Sequence, residues 1–349
     1  MALHQLIQRV LLIGAHVESL PPPPAPRAPP ALRPLIEAIA GAHHRFDERA
    51  IHYGHRYRSG FWAIYLLSAI AVLFAVMPLA LGWDSANHRL HPYAGLWAVG
   101  EVMVIGTVSA IYWRGHRRDW QAQWLRARTT AELSWYLPML APLLDFSGPA
   151  AAESNWYLRV FDPGQHVRSA DDIAALCATN EPLARHLLAA AWSDPKFISS
   201  YTQWSIDILE QQRHYHSRIA SKQHALRHRV HSVNSALFGL TAVGALLHLV
   251  VHSLWLSLVT MFFPALGASL HGALAQSEAY RLGTTSERLV AELHGAMARI
   301  RAVLDAAGAA SDTGDVKALK VAIEAALALI LEEHQDWHLL VRPHNLPLG

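Results

Sequence analysis

Histidine is the residue type whose abundance most suggests a chemical role in this sequence. The chain has 349 residues, of which 23 are histidines and one is a cysteine. His224 and His228 are four residues apart and would share one face of a helix, as metal ligands can. No HExxH, CxxC or paired Cys/His spacing accompanies them, so no metal site is predicted. We expect the histidines to be interface residues that add some response to pH.

Motifs that cradle phosphate or carry a nucleophile are missing from the sequence. There is no GxxxxGK[ST], no GxGxxG after a strand and no GxSxG, so we expect neither enzymatic activity nor a cofactor. The formal net charge of +2 argues against a nucleic-acid partner. The arginine-rich stretch with Trp120, Trp124, Trp135, Tyr136 and Trp156 directly follows an apolar span. It is therefore expected to form an aromatic belt at the membrane interface rather than a nucleotide or nucleic-acid surface.

Glu101 is the carboxylate that lies inside an apolar span, and it is the candidate for a pore or membrane function. A charge at mid-membrane costs about 2.5 to 3.5 kcal/mol on insertion scales, so such an acid should face a partner, water or another chain. An alternative is that the helix begins later, near Glu101. The acid would then lie in the outer interface.

The elements that position these residues are predicted from charge-poor spans. Residues 230–277 contain no Asp, Glu, Lys or Arg, and residues 59–83 and 90–113 are similarly poor in charge. A membrane helix needs about 20 apolar residues. The spans therefore predict four crossings, at residues 61–81, 94–113, 233–251 and 254–272. The predicted fold class is an all-α membrane protein with two transmembrane helical hairpins and long cytosolic helical extensions.

Basic residues flank both hairpins and are nearly absent from their turns. Arg56, Arg58, Arg114 and Arg117 flank the first hairpin, whose turn holds only Arg89. By the positive-inside rule, both termini are expected in the cytoplasm of a bacterial cell, with the protein in its inner membrane.

Five regions follow from this reading. They are an N-terminal segment with a Pro-rich linker (1–35), a first two-transmembrane module (36–146), a cytosolic connection (147–196), a second two-transmembrane module (197–307), and a C-terminal cytosolic helix and tail (308–349). The connection is expected to hold short helical pieces such as 171–177 and 182–192, separated by turn dipeptides.

The two modules share a short sequence motif after their hairpins, which predicts an internal duplication. Residues 129–133 have the sequence TTAEL, and Thr284, Thr285 and Glu287 belong to a similar motif in the second half. Even numbers of crossings give both copies the same orientation, an arrangement that suits a pore made from several chains or a carrier.

The first module resembles a known group of bacterial proteins, the SMODS and SLOG-associating two-transmembrane (SLATT-like) effector domains. The resemblance covers residues 40–145 and, more loosely, the second hairpin with the helix after it. The matching positions are Arg56, Arg58, Trp120, Trp124, Arg126, Arg128, Glu132 and Leu133.

The resemblance implies an oligomeric membrane effector in a nucleotide-signalled antiviral conflict system, pore-forming or membrane-perturbing. The expected partners are the lipid bilayer, further copies of the chain, and a nucleotide-sensing or nucleotidyltransferase protein. Unlike some relatives, this sequence shows no nucleotide-sensing Rossmann domain, so direct sensing of a ligand is not expected from the resemblance. The alternative function is a non-conducting membrane scaffold or sensor that recruits a cytosolic partner.

Overall fold

The computed structural model describes residues 1–15, 17, 20–144, 167–188, 191–309 and 313–340, and all regular structure in these ranges is helical. The α-helices are α1 (Leu3–Leu11), α2 (Arg33–Ala80), α3 (Ala94–Arg117), α4 (Trp120–Leu140), α5 (Val167–Leu188), α6 (Pro195–His248), α7 (Leu254–Gln276), α8 (Ala279–Ala309) and α9 (Thr313–Leu340). The all-α fold predicted from the sequence is confirmed.

Four helical segments are long and apolar enough to cross a membrane: Pro30–Ala80, His91–Arg117, Pro195–His248 and Leu254–Ala306. They overlap the four predicted crossings, of which 61–81 and 233–251 extend one and three residues beyond the helical segments. The helices α2 and α6 continue unbroken from their apolar part into a charged portion, on which the adjoining helices pack.

Both hairpins are closed at the predicted turns. α2 ends before Gly82, whose φ of 70° is readily adopted only by glycine. The chain then turns through residues 81–93 into α3. α6 ends at His248 and α7 begins at Leu254, with Ser253 in extended conformation before it.

The two halves pack in the same way. α2 packs along α3 and α4, and α6 packs along α7 and α8, so each long helix supports the two that follow it. α2 also packs along α7, which joins the halves. The similarity is consistent with a duplicated module, which stays a prediction.

The membrane portions form an open row in the order α3, α2, α7, α6. Phe74 on α2 packs over Gly100 on α3, Tyr65 on α2 packs over Gly272 on α7, and Val259 on α7 packs over Gly244 on α6. In the described part of the chain, α3 and α6 lack extensive contact with each other, so the row does not close into a bundle.

The charged portions of the helices share an apolar core. It is formed by one face each of α2, α4, α5, α6, α8 and α9, with the fully buried members Leu35, Ile39, Met139, Ile173, Tyr201, Leu209, Leu293, Met297, Ile300, Ile323 and Leu327. Tyr201 donates a 2.6 Å hydrogen bond to the Met139 carbonyl within this core. The core fixes both modules relative to each other outside the membrane.

One local prediction differs from the structure. The predicted pieces 171–177 and 182–192 are largely one helix, α5, that runs through Pro182 to Leu188. The Asn180 amide donates to the Leu176 carbonyl, one turn before this proline. Residues 147–166, 189 and 190 of the predicted connection lie outside the described residues. At the other end of the chain, the N-terminal segment includes α1, which packs on α2 and α6.

Candidate functional site

A cavity of about 350 Å³ lies between the two modules, where the long helices leave the apolar segments. α2 and α4 line one side, α6 and α8 line the other, and α1 contributes His4, Gln5 and Gln8. The charged side chains at its wall are Arg58, Arg128, Lys222, Glu132 and Glu278. We call this space the central cavity.

Arg58 is held at the cavity wall by aromatic residues. Its Cζ lies 4.7 Å from the centre of the Trp124 ring, a cation-π distance. Tyr57 stacks on the same indole with ring centroids 5.6 Å apart. The guanidinium is therefore oriented through an uncharged group and keeps its N–H donors for other partners.

Lys222 supplies a second cation from the opposite module. Desolvation lowers the pKa of Lys222, and Arg58, Arg218 and Arg9 lower it further. Desolvation likewise lowers the pKa of Arg58. Neither residue has a carboxylate within ion-pairing distance among the residues that the structure describes. With Arg128, they give the cavity wall three cations against the two carboxylates Glu132 and Glu278.

The two carboxylates of the cavity do not neutralise this pair. Glu132 forms an ion pair with Arg128, one turn away on α4. Glu278 lies near Tyr57, whose pKa is raised mainly by burial and to a smaller degree by Glu278.

Three histidines complete the polar wall. His4 Nδ1 lies 3.1 Å from Ser59 Oγ, and His55 Nε2 lies 3.2 Å from the Gln5 amide nitrogen, so both tie α1 to α2. His216 Nδ1 lies 3.2 Å from Ser286 Oγ and ties α6 to α8. Burial, the largest cause for both, lowers the pKa of His4 and of His216 to about 4. These two rings are neutral at physiological pH.

The structure brings together only part of the family-motif set predicted from the sequence. Arg58, Trp124, Arg128 and Glu132 all line the central cavity. Leu133 lies in the apolar core.

The other motif residues lie elsewhere. Arg56 lines a shallow outer pocket with Arg117 and Arg118. Arg126 forms a 2.8 Å ion pair with Asp172 on α5. Trp120 packs beside Gly60 and Gly115.

The prediction of an aromatic membrane-interface belt is wrong for two of its members. Trp124 and Tyr136 are 7% and 2% exposed, respectively, and both are covered by protein. The reason is that α4 folds back along α2 instead of lying along the bilayer surface. Trp135, at 45% exposure, remains on the surface. Trp156 lies outside the described residues.

The second copy of the repeated motif lies on α8, the helix that corresponds to α4 of the first half. Glu287 Oε1 lies 2.9 Å from His224 Nε2, and the Thr284 hydroxyl donates to the Tyr280 carbonyl of its own helix. Thr285 is half-buried beside Ser286, the partner of His216. In the first half, His43 Nδ1 on α2 similarly lies 3.0 Å from the carbonyl oxygen of Ala131, which belongs to the first copy of the motif.

Glu101 lies inside α3 and away from the central cavity. The helix begins at Ala94, seven residues earlier, so it does not start at Glu101; the alternative placement of this acid in the outer interface stays a prediction. Glu101 is half-buried, like Trp97, Val104 and Val108, and these four residues share one face of the helix. In the part of the chain that the structure describes, no hydrogen bond or ion pair of Glu101 is found.

Neither the central cavity nor the surroundings of Glu101 hold a cluster of metal-ligating side chains among the described residues. Among the described residues, no three side chains of the types His, Cys, Asp and Glu are close enough to hold an ion together.

Comparisons with protein-family models, with curated proteins and with solved structures find no match to this chain.

Sequence reasoning missed Lys222, His4 and His216 as parts of a site. Lys222 had one available signal, since it is a basic residue about ten positions before an apolar span, but many arginines share that property. Only the packing of α6 against α1 and α8 brings these residues to the cavity that Arg58 lines.

Proposed function

We propose that the protein is an oligomeric membrane effector of a bacterial antiviral conflict system. In this proposal it opens a pore or perturbs the bilayer, and its cytosolic helices receive the signal. The membrane role is supported by the four apolar helices. The biological setting is supported by the resemblance of residues 40–145 to the SLATT-like effector domains. Placement in the inner membrane with both termini in the cytoplasm follows from the distribution of basic residues.

One observation carries the oligomeric part of the proposal: the four crossing segments form an open row. α3 is an edge helix of this row, and none of its residues is buried. Its outward residues include Val99, Val102 and Met103, which are 58%, 69% and 69% exposed. Because the described helices of one chain enclose no lumen in the membrane, a conducting path would form between copies.

Glu101 places a carboxylate on this edge helix, and lipid chains offer that group no polar partner. An intramembrane carboxylate without a partner is costly, and a water-filled path or a neighbouring chain would relieve that cost. A path lined by Glu101 would favour cations.

Reconstitution tests the proposal. The purified chain is placed in dye-loaded liposomes and in planar bilayers, alone and with nucleotides or candidate partner proteins. We expect dye release, and a cation preference that falls at least twofold in Glu101→Gln. Asp84→Asn, which removes the same charge from the turn after α2, should keep the selectivity of the unaltered protein. Failure to release dye under every condition would contradict the proposal.

A non-conducting scaffold or sensor is the second candidate. It is favoured by the large core outside the apolar segments, to which α8 and α9 contribute, since a cytosolic partner would bind to this part of the chain. Co-purification of a stoichiometric cytosolic protein, together with intact dye-loaded liposomes, would support this alternative. A nucleotidyltransferase or SLOG-domain gene beside this one would favour the effector.

A further inference from the structure

We propose that the central cavity binds a phosphate-bearing anion, which Arg58 holds from the first module and Lys222 from the second. This inference concerns a ligand site and does not depend on whether the protein conducts.

The charge of the cavity supports an anionic ligand. Arg128 is matched by Glu132. Glu278 also lines the cavity, but it forms no ion pair with Arg58 or Lys222, so these two cations have no carboxylate partner among the described residues. Two like charges in a partly desolvated space repel each other, and a bound anion relieves this repulsion. Desolvation lowers the pKa of Lys222, and the nearby cations Arg58, Arg218 and Arg9 lower it further.

The donor geometry favours phosphate over a simple halide. A guanidinium presents a planar set of N–H groups that matches phosphate oxygens, and an ammonium adds a point charge with three donors. Trp124 positions the Arg58 guanidinium without consuming its hydrogen bonds. On the opposite side of the cavity, Gln212, Gln223 and Tyr215 of α6 add neutral polar groups near Lys222.

The size of the cavity sets the class of ligand. About 350 Å³ lies at the lower end of small-molecule sites, which typically span about 300 to 1,000 Å³. It suits a phosphate with a small organic group rather than a macromolecule. Two sources share this chemistry: a soluble phosphate compound from the cytosol and a phospholipid headgroup, because the cavity lies next to the apolar segments of α2 and α7.

Calorimetric titration of inorganic pyrophosphate into the full chain in phosphatidylcholine nanodiscs tests the proposal. We expect saturable binding that Arg58→Gln and Lys222→Gln each weaken at least about tenfold, the effect of losing a charge-assisted hydrogen bond. Arg56→Gln is the matched control, because it lies on the same helix but lines the outer pocket. It should bind within about twofold of the unaltered protein. Arg58→Lys, which keeps the charge, should retain more affinity than Arg58→Gln and guards against a folding defect.

Native mass spectrometry from phosphatidylglycerol nanodiscs separates the two sources. A lipid adduct that Arg58→Gln loses and Arg56→Gln keeps identifies a headgroup in the cavity. Adducts that do not differ between these variants, with pyrophosphate binding as expected, identify a soluble anion. Equal losses in the Arg56 and Arg58 variants would overturn the proposal. So would an absence of pyrophosphate binding combined with unchanged lipid adducts.

Discussion

The indole of Trp124 lies directly against the backbone of Gly54, where α4 crosses α2. A Cβ added at residue 54 would lie 2.8 Å from Nε1 and 2.9 Å from Cδ1 of that indole. The same indole carries Tyr57 and Arg58 on its faces, so this approach sets one wall of the central cavity.

Gly54→Ala is therefore expected to destabilise the protein. The added methyl group must displace Trp124 from a packed position, a change that typically costs about 1 to 3 kcal/mol. Thermal unfolding in detergent should show a melting temperature several degrees lower. Gly41→Ala, on the same helix, meets only the end of the Arg45 side chain at 3.8 Å. It should be neutral or stabilising, because alanine favours the helix. Equal melting temperatures for both variants would contradict this packing.

Gly272→Leu should separate α7 from α2. A Cβ at residue 272 would lie 2.5 Å from Tyr65 Cε1, so a larger side chain cannot fit without moving the helix. We expect a lower melting temperature and faster proteolysis of the detergent-solubilised chain. Gly106→Leu is the control within the membrane, since a Cβ there meets nothing within 4 Å in the chain. A melting temperature unchanged in Gly272→Leu would argue against the contact of α2 with α7.

Glu132→Gln should leave Arg128 without its ion-pair partner. Both side chains are partly covered, at 33% and 21% exposure for Arg128 and Glu132. We expect a loss of about 1 to 2 kcal/mol in the free energy of unfolding, since a partly buried charge loses its partner. Glu48→Gln breaks an exposed contact with His44 and should change stability by less than about 0.5 kcal/mol. Chemical or thermal unfolding of both variants at pH 7.5 measures the difference.

Stability should fall as the pH is lowered from about 6.5 toward 4. Burial holds the pKa of His4 and of His216 near 4 in the folded chain, against 6.5 ordinarily. Between pH 6.5 and pH 4 the unfolded chain binds more protons at these histidines than the folded chain does, so the free energy of unfolding decreases as the pH falls. Above pH 6.5 these groups do not change the free energy of unfolding. The expected loss at pH 5 is on the order of 1 to 2 kcal/mol for each residue.

Melting temperatures at pH 7.5 and pH 5 measure this loss. The double variant His4→Gln and His216→Gln should lose less stability on acidification than the unaltered protein. His44→Gln, at a side chain that is 74% exposed, should keep the original pH dependence. A double variant with that same dependence would show that these two histidines are not responsible.

Cys177 should be unreactive in the folded protein. The side chain is 2% exposed, and burial raises the pKa of its thiol to about 12, so little thiolate exists at pH 8. Labelling with a maleimide, followed by mass spectrometry, should be slow until denaturant is added. Rapid labelling of the native chain would mean that α5 opens readily from the core.

The sequence by itself determined the helical hairpins, because a gap in charge over about 20 residues is a local property that requires no knowledge of neighbours. The predicted turn of the second hairpin, between residues 251 and 254, falls between the end of α6 at His248 and the start of α7 at Leu254 for the same reason. The sequence also indicated Arg58, Trp124, Arg128 and Glu132 as candidate site residues, because the short motifs that contain them resemble those of the SLATT-like domains.

Only the tertiary structure decided what those residues do. An amphipathic helix shows which face is apolar, but not which helix will cover it. Trp124 was expected at the lipid interface, and it is instead buried because α4 packs on α2. Arg58 and Lys222 are far apart in sequence, and they share one cavity because both modules pack on a common core. Long-range packing, which no local pattern encodes, placed these cations together.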